Sequence, residues 1–354
     1  MSVAIGVIGL GTIAACVHLP GIKKSPDLRL SAICDIDEKR LREIGDIYAI
    51  PEEYCFTDYR QLIRCPHVEA VDICPPNDCH YVMAMEAVAA EKPYCVEKPV
   101  TMNAAQAKAL TEATEKAGVT SMVCFSYRFK AASRYARELV KSKVLGEIYH
   151  VNMQYLQSWG RKEVDIPLVW RYQKSRTGSG ALGDLGCHAL DLTRFILGRE
   201  YEKVIADADT FLKQRPLEDG TGMGTCDVDD YCNYMARMQG HVAASFQITR
   251  FAYGRGNYQR MEVYGEKGAL VYLLDQLPGE DELHICIGQP MGSLNLYSKV
   301  PVPGHYAADQ MQCFADLLMG KGDGLSATIQ DGYINQLAVD AVIKSFEESK
   351  WVVL

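Results

Sequence analysis

The sequence has no long apolar run. None of its 354 residues lies in a stretch of the roughly eighteen apolar residues that a membrane-spanning helix needs. This absence argues against an integral membrane protein. The first residues enter an apolar strand pattern directly, without the basic segment and apolar core of a secretory leader. We therefore expect a soluble protein of the cytoplasm.

Basic residues are fewer than acidic residues in this sequence. The chain has 37 lysine and arginine residues against 45 aspartate and glutamate residues, which gives a formal net charge of −8. Proteins that bind nucleic acid or an anionic membrane surface need the opposite balance. We therefore expect a small-molecule ligand, and neither a nucleic-acid nor a membrane partner.

The thirteen cysteines lack the spacing of a disulfide or metal framework. No C-x-x-C pair occurs, and the closest neighbours in sequence are Cys74 and Cys79. Cys34 and Cys124 lie inside apolar runs, where a thiol packs as a small hydrophobic group. This usage is typical of a reducing compartment, and it predicts neither a structural zinc site nor another bound metal.

Strand and helix patterns alternate over the first third of the chain. The apolar strand patterns cover Val3 to Ile8, Leu28 to Cys34, Val68 to Cys74, Tyr94 to Val96 and Thr120 to Phe125. The helical patterns cover Glu38 to Tyr48, Tyr81 to Ala90 and Ala104 to Ala117. Such alternation predicts an α/β fold with a doubly wound parallel sheet, whose ligands lie at the carboxyl ends of the strands.

The pattern changes after residue 126. A helical stretch, Ala132 to Lys143, precedes runs that alternate apolar and polar residues: Ile148 to Tyr155, Tyr231 to Met238, Val242 to Arg250, Gln259 to Tyr264 and Ala269 to Leu274. We predict one domain over residues 1–125 and a second, α+β domain over 126–354 with a large, mainly antiparallel, open-faced sheet. The last helix, 333–348, is expected to pack back on the first domain. Residues 219–225 are expected to form a flexible loop.

A glycine motif follows the first strand pattern at once. Gly9, Gly11 and Ala14 form the pattern G-x-G-x-x-A between a strand and a helix. Such glycines let the backbone approach a pyrophosphate at the helix N-terminus. Asp35 ends the second strand pattern, where a carboxylate binds the adenosine ribose 2′-hydroxyl and repels a 2′-phosphate. The combination predicts a Rossmann domain that binds NAD rather than NADP; the alternative is a glycine turn without a ligand.

Two further turns follow strands of this predicted sheet. Pro75-Pro76-Asn77 lies where the dinucleotide would cross, and Glu97-Lys98-Pro99 follows the next strand. A lysine there is expected to point toward the nicotinamide. Its ammonium can hydrogen-bond the reacting oxygen of a substrate and favour developing negative charge. The alternative is a solvated lysine at the start of a loop.

The segment 178–191, GSGALGDLGCHALD, places Asp184, His188 and Asp191 at spacings of four and three residues. On a helix these side chains project from nearly the same face. A carboxylate one turn from an imidazole suits a proton relay, because it fixes the tautomer of the ring and raises its basicity. The spacing alone fits a buried, hydrogen-bonded histidine behind a glycine-rich loop equally well.

Taken together, these motifs resemble the glucose–fructose oxidoreductase/inositol dehydrogenase (Gfo/Idh/MocA) family over nearly the whole chain. They are G-x-G-x-x-A, the acid after the second strand, E-K-P and D-x-G-x-H-x-x-D. In that family the lysine, the aspartate and the histidine surround the reacting carbinol. The resemblance therefore assigns catalytic roles to Lys98, Asp184 and His188. Cys187 stands where an aliphatic residue is frequent, and we expect it to pack rather than to react.

The resemblance also implies the binding residues, since relatives line the cofactor–substrate cleft with a Trp-Arg pair and a Tyr-Arg-Phe segment, here 170–171 and 127–129. The predicted cofactor-binding residues are Gly9, Gly11, Thr12, Ile13, Asp35, Pro75, Asn77, His80, Glu97, Lys98, Arg128, Trp170 and Arg171. The predicted substrate-binding residues are Lys98, Tyr127, Tyr155, Trp159, Trp170, Asp184 and His188. We interpret Asp191 as a supporting group, and the glycines before Asp184 as space for the cofactor and a sugar ring.

The activity that the resemblance implies is NAD-dependent hydride transfer from a ring secondary alcohol of a sugar, a glycoside or a cyclic polyol. One alternative keeps the fold and is a keto-sugar reductase, or a sugar or glycoside 3-oxidoreductase with tightly bound NAD. Another is a non-catalytic Rossmann protein that senses NAD or a metabolite. The presence of Lys98, Asp184 and His188 counts against the sensor. Zinc on Asp184, Cys187 and His188 is disfavoured because no C-x-x-C site accompanies them.

Relatives pair the open faces of their antiparallel sheets. The resemblance therefore implies a homodimer, a homotetramer or a larger homo-oligomer. The alternating apolar residues Ala244, Phe246 and Ile248 are the candidates for that contact. The second domain would thus both bind the substrate and form the oligomer.

Overall fold

The computed structural model describes residues 2–275, 281–288 and 296–354. The chain divides into two compact units. The first comprises Met1–Ser126 and Ala308–Gln336, and the second comprises Tyr127–Ala307 and Leu337–Leu354. The last long helix therefore contributes its first turns to the first unit and its remainder to the second.

The α-helices of the described residues are α1 (Leu19–Lys24), α2 (Glu38–Tyr48), α3 (Tyr59–Arg64), α4 (Asn77–Ala89), α5 (Ala104–Ala117), α6 (Ala131–Lys141), α7 (Lys174–Thr177), α8 (Cys187–Leu197), α9 (Gln310–Leu318) and α10 (Ile329–Glu348). Helices α2 and α5 have the predicted bounds, whereas α10 begins four residues before its predicted start at 333. Within the part of the chain that the structure describes, no helix is long and apolar enough to cross a membrane.

The strands are β1 (Val3–Ile8), β2 (Leu28–Cys34), β3 (Cys55–Phe56), β4 (Ala70–Ile73), β5 (Tyr94–Val96), β6 (Ser121–Val123), β7 (Ile148–Leu156), β8 (Tyr201–Asp209), β9 (Gln214–Pro216), β10 (Met223–Thr225), β11 (Tyr231–Met238), β12 (Val242–Thr249), β13 (Tyr258–Gly265), β14 (Gly268–Leu274), β15 (Asp281–Ile287), β16 (Ser298–Val300) and β17 (Val352–Val353).

The first unit is built on a six-stranded parallel sheet with the order β3-β2-β1-β4-β5-β6. This confirms the predicted doubly wound α/β fold. The central strands are buried on both faces, as Ile5 on β1 and Val71 on β4 show with no exposed surface. The strand order reverses between β1 and β4, so the glycine motif after β1 lies at the switch point where such sheets bind ligands.

The helix that follows the glycine motif starts irregularly. A π-helical turn, Ala14–His18, leads directly into α1. Short π-helical insertions widen a helix by one residue per turn and often occur at functional sites. The next helix, α2, begins regularly, because the Asp37 side chain accepts hydrogen bonds from the Lys39 and Arg40 amides.

The second unit is built on a nine-stranded sheet with the order β16-β15-β14-β13-β7-β12-β11-β8-β17. Only the β7–β12 pair is parallel among its described neighbours. The predicted α+β unit with a mainly antiparallel sheet is confirmed. Along β11 and β12 buried and exposed side chains alternate, which is the pattern of a sheet with one covered face.

The expected contact residues of the open face were assigned to the wrong side of the sheet. Ala244, Phe246 and Ile248 are 5%, 1% and 0% exposed, and they belong to the covered face. The Phe246 ring stacks on Tyr234 with their centroids 4.3 Å apart. An alternating pattern identifies two faces of a strand, but the apolar one is buried first within the unit itself. The other face of β12 carries Ser245 and Gln247.

The expected flexible loop at residues 219–225 is wrong for its last three residues. Met223–Thr225 forms β10, which pairs antiparallel with β9 in a two-stranded sheet. Glycines and small polar residues made this stretch resemble a loop. The strands β3, β8, β9, β15, β16 and β17 and the helices α3, α7 and α9 were not identified from the sequence.

Candidate active site

The glycine turn after β1 leaves room for a ligand on one side and none on the other. Gly9 has a φ of +83°, and a Cβ added there would lie 2.6 Å from the Pro75 nitrogen. A side chain at Gly9 would therefore displace the turn after β4. At Gly11 an added Cβ would meet no atom within 4 Å. The exposed Thr12 and Ile13 follow at the helix start, so the turn fits the pyrophosphate cradle expected of a dinucleotide site.

Asp35 lies beside this turn. Its Oδ2 accepts a hydrogen bond from the Leu10 amide at 2.7 Å, and its Oδ1 accepts one from the Asp37 amide at 2.9 Å. The two bonds fix the carboxylate at the carboxyl end of β2, and a carboxylate retains lone pairs for a further donor. Arg40, which the sequence analysis missed, donates from Nε to the Leu10 carbonyl at 2.9 Å. A carboxylate and a guanidinium thus flank the same turn.

The turns after β4 and β5 are joined by His80. Its Nε2 lies 2.9 Å from the Pro75 carbonyl oxygen, and its Nδ1 lies 2.8 Å from that of Pro99. Burial lowers the pKa of His80, although both carbonyls oppose the effect. The His80 imidazole thus lies between the two turns that the sequence predicts to contact the cofactor. Asn77, also predicted there, is buried at the first residue of α4.

Glu97 has partners within the first unit. It is buried; its Oε1 lies 3.0 Å from His18 Nε2, and its Oε2 accepts a hydrogen bond from the Lys98 amide at 3.2 Å. Lys98 itself is partly exposed. The structure therefore places Lys98 at the carboxyl end of β5. It lies on a turn whose first residue, Glu97, contacts His18.

In the second unit, Asp184 and His188 lie on consecutive helical segments. Asp184 belongs to a π-helical turn, Leu182–Gly186, and His188 to the first turn of α8. Arg171 Nη1 donates to Asp184 Oδ1 at 3.3 Å. The buried His188 ring packs edge-to-face on Tyr127, with centroids 4.8 Å apart.

The glycines before His188 fit closely packed protein rather than a ligand. An added Cβ at Gly180 would lie 1.9 Å from the Asp229 carbonyl oxygen, and one at Gly183 would lie 2.5 Å from Ser179 Oγ. At Gly186 it would lie 2.8 Å from a methyl group of Leu182. The interpretation of the glycines before Asp184 as space for the cofactor and a sugar ring is therefore wrong for Gly180 and Gly183. Their small size lets the π-helical turn pack against its neighbours.

Asp229 holds the start of that turn and was missed by the sequence analysis. Its two carboxylate oxygens accept hydrogen bonds from the Gly180 amide at 2.6 Å and the Leu182 amide at 2.7 Å. Two backbone donors at a helix start are thereby satisfied. Asp229 lies 49 residues from Gly180 in sequence, so no local pattern could have indicated the contact.

A network of hydroxyl and amide groups lies beside His188. The Tyr127 and Tyr155 hydroxyls are 2.6 Å apart, and Asn257 Oδ1 accepts from both, at 3.1 and 2.7 Å. Gln157 Nε2 donates to Asn257 Oδ1 at 3.0 Å, and Trp159 Nε1 donates to Gln157 Oε1 at 2.5 Å. Three of these residues were predicted to bind substrate. Gln157 and Asn257 were missed, because the pairing of β7 with β13 brings them together.

Burial raises the pKa of the Tyr155 hydroxyl well above its ordinary value, and the neighbouring Tyr127 adds to the effect. Tyr155 therefore stays protonated and acts as a hydrogen-bond donor to Asn257. The network is thus one of neutral groups, which suits the recognition of hydroxyl groups.

The other predicted residues of the second unit have defined surroundings. Arg128 is buried and donates from Nε and Nη2 to the two carboxylate oxygens of Asp191, at 2.8 and 2.6 Å. Asp191 thus supports the segment that carries Tyr127. The Arg171 guanidinium stacks over the Trp170 ring at 4.4 Å. A cofactor role for Arg128, Trp170 and Arg171 stays a prediction.

Potential metal ligands cluster elsewhere than at His188. In the described ranges, the groups of three ligand atoms within 4.8 Å are His18 with Asp72 and Cys74, and His18 with Glu97 and Cys124. Asp184, Cys187 and His188 are not among them. Cys187 is fully buried and its thiol contacts the Asp184 carbonyl oxygen at 3.7 Å. These contacts agree with a packing role for Cys187.

Two family models match the chain. Residues 3–125 match the oxidoreductase family with an NAD-binding Rossmann fold, and residues 133–271 match the GFO/IDH/MocA C-terminal domain. Levoglucosan dehydrogenase of Pseudarthrobacter phenanthrenivorans is 30% identical over 326 residues, which are 84% of this chain and 82% of that protein. The chain belongs to the Gfo/Idh/MocA oxidoreductase family. It is accordingly an oxidoreductase with an NAD-binding Rossmann domain, as the sequence motifs predict.

Other family members are similarly close. Myo-inositol 2-dehydrogenase of Thermotoga maritima is 31% identical over 266 residues, which are 75% of this chain and 74% of that protein. A structure of levoglucosan dehydrogenase in complex with NADH and levoglucosan superposes with a TM-score of 0.87 at 27% identity, covering 100% of this chain and 99% of that chain. An oxidoreductase domain protein from Kribbella flavida superposes with a TM-score of 0.88 at 30% identity and the same coverage.

Proposed function

We propose that the protein is an NAD-dependent dehydrogenase of a ring secondary alcohol in a sugar, a glycoside or a cyclic polyol. The observation that carries the proposal is the position of the His188 imidazole against Tyr127 and Tyr155, whose hydroxyls share the Asn257 amide oxygen. A titratable ring thereby stands beside neutral hydroxyl and amide groups. Such a surface suits a substrate rich in hydroxyl groups.

For the cofactor we propose NAD rather than NADP. The open space at Gly11 and the exposed start of the following helix suit a pyrophosphate. The Asp35 carboxylate, fixed by two backbone amides, suits a ribose 2′-hydroxyl and repels a 2′-phosphate. Bound NAD supplies the hydride acceptor; the chain supplies binding, orientation and proton handling.

We assign the proton transfer to His188. In oxidation of the alcohol, a ring nitrogen of His188 takes the hydroxyl proton as a general base. Asp184 supports the charged imidazole, and Arg171 Nη1, 3.3 Å from Asp184 Oδ1, holds that carboxylate in place. Burial of His188 among aromatic rings limits exchange of the proton with bulk water.

We assign Lys98 to the substrate oxygen. Its ammonium donates a hydrogen bond to the oxygen that loses the proton and stabilises developing negative charge there. The position of Lys98 at the carboxyl end of β5 agrees with this role, because ligands of doubly wound sheets lie at that edge. In this proposal residues 1–125 bind NAD and residues 126–354 bind the substrate.

The names of three relatives support this substrate class. They act on levoglucosan, myo-inositol and D-glucosides. These compounds share a ring bearing secondary hydroxyls and carry no charge. The neutral network of Tyr127, Tyr155, Gln157, Trp159 and Asn257 favours an uncharged ring of this kind over a phosphorylated one.

The deciding experiment is a screen for NAD reduction with purified protein. The panel contains inositols, hexoses, anhydro-sugars, nucleotide sugars and aryl glycosides, with the appearance of NADH absorbance as the readout. We expect one class of uncharged ring alcohol to be oxidised. The same panel with NADP tests the cofactor preference, and the matching ketones with NADH test the reductase alternative.

Three results would contradict the proposal or its residue assignments. If NAD binds but no ring alcohol or ketone reacts, the sensor alternative replaces it. If cofactor absorbance survives extensive dialysis and only paired sugars react, NAD is recycled in place and the enzyme is a sugar oxidoreductase with tightly bound NAD. Stoichiometric zinc that is needed for activity would also overturn the assignment of His188 and Lys98.

We further propose that the protein forms a homo-oligomer through the open face of the nine-stranded sheet. We also propose that it is located in the cytoplasm. The side chains available there include Asn152, Gln154, Ser245 and Gln247, and the half-exposed Met235. All thirteen cysteines are free thiols, which suits a reducing compartment. Light scattering tests the oligomer: a monomer at micromolar concentration contradicts it, and disruption by Gln247→Arg supports it.

A further inference from the structure

A buried cluster of charged groups lies beneath the lysine-bearing turn. It consists of His18, Asp72 and Glu97, hereafter the His18 cluster. His18 Nδ1 lies 2.9 Å from Asp72 Oδ2, and His18 Nε2 lies 3.0 Å from Glu97 Oε1. His18 and Asp72 are 0% exposed and Glu97 is 8% exposed. None of these contacts belongs to the assigned proton transfer.

The three members come from different elements of the first unit. His18 ends the π-helical turn that follows the glycine motif, Asp72 lies on β4, and Glu97 follows β5. The extra residue of a π-helical turn changes where the next side chains point, and here the His18 ring contacts β4 and the turn after β5. The cluster thus links the cofactor-binding helix to the turn that carries Lys98.

The electrostatics favour an imidazolium between two carboxylates. Burial acts to lower the pKa of His18, but the charge and hydrogen bond of Asp72 raise it well above 6.5. Cys74 and Cys95 donate from their thiols to Asp72 Oδ1, at 3.4 and 3.1 Å. Burial and the nearby carboxylate raise the pKa of both thiols, so they stay protonated. Cys124 lies against His18 and Glu97 as a further titratable neighbour.

The Glu97 carboxylate connects His18 to the backbone of Lys98. One of its carboxylate oxygens receives His18 Nε2–H, and the other receives the Lys98 amide N–H at 3.2 Å. A carboxylate held at both oxygens cannot rotate freely. The Glu97 carboxylate fixes the position of the Lys98 amide. The direction of the Lys98 side chain from the turn after β5 therefore depends on that carboxylate.

Burying an ion pair gains little stability over well-packed apolar residues. A cluster of this kind directly beneath a predicted catalytic residue therefore needs a functional reason. We propose that His18 is a positioning residue, which holds the Glu97 carboxylate and through it orients Lys98 toward the substrate oxygen. The inference rests on the proposed function, because it gives Lys98 the role assigned there.

The principal test combines His18→Gln with Lys98→Met. His18→Gln removes the charge and replaces the two ring N–H groups, which face Asp72 and Glu97 separately, by a single amide NH2 group on a polar side chain of similar length. We expect kcat to fall on the order of 10²-fold, as for a misplacement of about 1 Å, while the Kd for NADH changes less than about twofold. In the Lys98→Met background, we expect His18→Gln to change kcat less than about twofold, since coupled residues are not additive.

Two results would count against positioning. An equal loss of kcat in both backgrounds would show that His18 acts independently of Lys98 and would overturn the proposal. An unchanged kcat in the single variant would do the same. The matched control is His67→Gln, an exposed histidine of the same unit, for which we expect neither kcat nor the Kd for NADH to change.

A second measurement does not depend on finding the substrate. An amine-acylating reagent is applied to the whole protein, and modification of Lys98 is compared by mass spectrometry with that of Lys108, whose side chain is 62% exposed. We expect the ratio to change at least threefold in His18→Gln and in Glu97→Gln, but not in His67→Gln. An unchanged ratio overturns the positioning role. A changed ratio without any sugar oxidation leaves positioning intact and removes the proposed function instead.

Two further measurements cover a variant that does not fold and a metal ion bound at His18. If His18→Gln does not fold, Glu97→Gln carries the test, because its amide oxygen still accepts from the Lys98 amide while the charge is lost. A metal analysis addresses the ligand groupings around His18. One zinc ion per chain that is lost in His18→Gln would show that His18 ligates metal instead, and would overturn the proposal.

Discussion

Arg128 and Asp191 form a side-on pair, with Nε and Nη2 of the guanidinium 2.8 and 2.6 Å from the two carboxylate oxygens. Both side chains are nearly inaccessible, at 6% and 3% exposure. Asp191 lies one helical turn beyond His188, and Arg128 directly follows Tyr127. The pair therefore joins the helix of the proposed base to the segment whose tyrosine packs on that base.

The first prediction concerns this pair. Arg128→Met leaves the Asp191 carboxylate buried without its cation, and breaking a buried pair in this way costs about 3–5 kcal/mol. The double variant Arg128→Met/Asp191→Leu removes both charges, so we expect it to lose less stability than either single variant. The free energy of unfolding in urea measures both effects.

Arg42→Met is the matched control, because Arg42 pairs with Glu38 at 71% and 70% exposure. An exposed pair of this kind contributes at most about 0.5 kcal/mol. A loss below about 1 kcal/mol in Arg128→Met would contradict the structural role. If stability were retained and NADH affinity fell instead, the predicted cofactor role of Arg128 would be favoured.

The second prediction concerns cofactor choice. Asp35→Ser removes the carboxylate beside the glycine turn, while Arg40, whose Nε donates to the Leu10 carbonyl, stays available to a 2′-phosphate. Like charges brought together cost several kcal/mol, so we expect the NAD/NADP ratio of kcat/KM to fall by at least ~10-fold. Asp46→Ser, on the exposed face of α2, should leave the ratio unchanged. An unchanged ratio in Asp35→Ser would show that Asp35 does not face the ribose.

The fold could be predicted well where a local pattern carries it. β1, β2, α2 and α5 have the bounds that their hydrophobic patterns predict. Short edge strands such as β3 and β17, of two residues each, leave no periodic signal. The assignment of Ala244, Phe246 and Ile248 to the open face was wrong for another reason. Alternation shows that a strand has two faces, but tertiary packing decides which face is covered.

The site could be predicted where its residues lie in motifs close in sequence. Gly9, Asp35, Lys98 and His188 each follow a strand or form part of such a motif. Asn257 and Asp229 could not be found in this way, because each acts across a long sequence separation. The glycines before His188 led to a wrong interpretation. Glycine occurs both where backbone packs closely and where a ligand needs space, so its presence alone does not distinguish the two.

The third prediction concerns the polar network. Asn257→Leu removes the oxygen that accepts from Tyr127, Tyr155 and Gln157. Loss of a hydrogen-bond acceptor shared by buried donors costs about 1–3 kcal/mol, so we expect kcat/KM for the sugar to fall ~10- to 100-fold, mainly through KM. Asn233→Leu, on the exposed side of β11, is the control. Equal kcat/KM values in wild type and Asn257→Leu would exclude the network from substrate recognition.

The fourth prediction concerns the proposed base. His188→Ala should lower kcat by ~10²–10⁴-fold, the contribution typical of general base catalysis. NADH affinity, measured by fluorescence, should stay within about twofold. We assign His188 no contact that the binding of NADH depends on. A variant that turned over normally would show that His188 is a buried structural histidine, the alternative that its sequence spacing also allows.

The fifth prediction concerns the pH dependence of stability. The pKa of His18 is raised in the fold well above the 6.5 that is usual for an unfolded histidine. Its stabilising contribution is therefore complete below pH 6.5, and it is lost as the pH rises through the higher pKa of the folded state. Relative to His18→Gln, the wild type should lose about 1.4 kcal/mol of unfolding free energy per pH unit between pH 6.5 and the pKa of the folded state.

Urea unfolding of both proteins at several pH values between neutrality and mild alkali measures this difference. The two proteins differ only at residue 18. The comparison thus isolates the proton on His18. A difference in stability that stays constant with pH would mean that the imidazole is neutral in the fold. A neutral ring has one N–H and could donate to Asp72 or to Glu97 but not to both, so the proposed arrangement of an imidazolium between two carboxylates would be wrong.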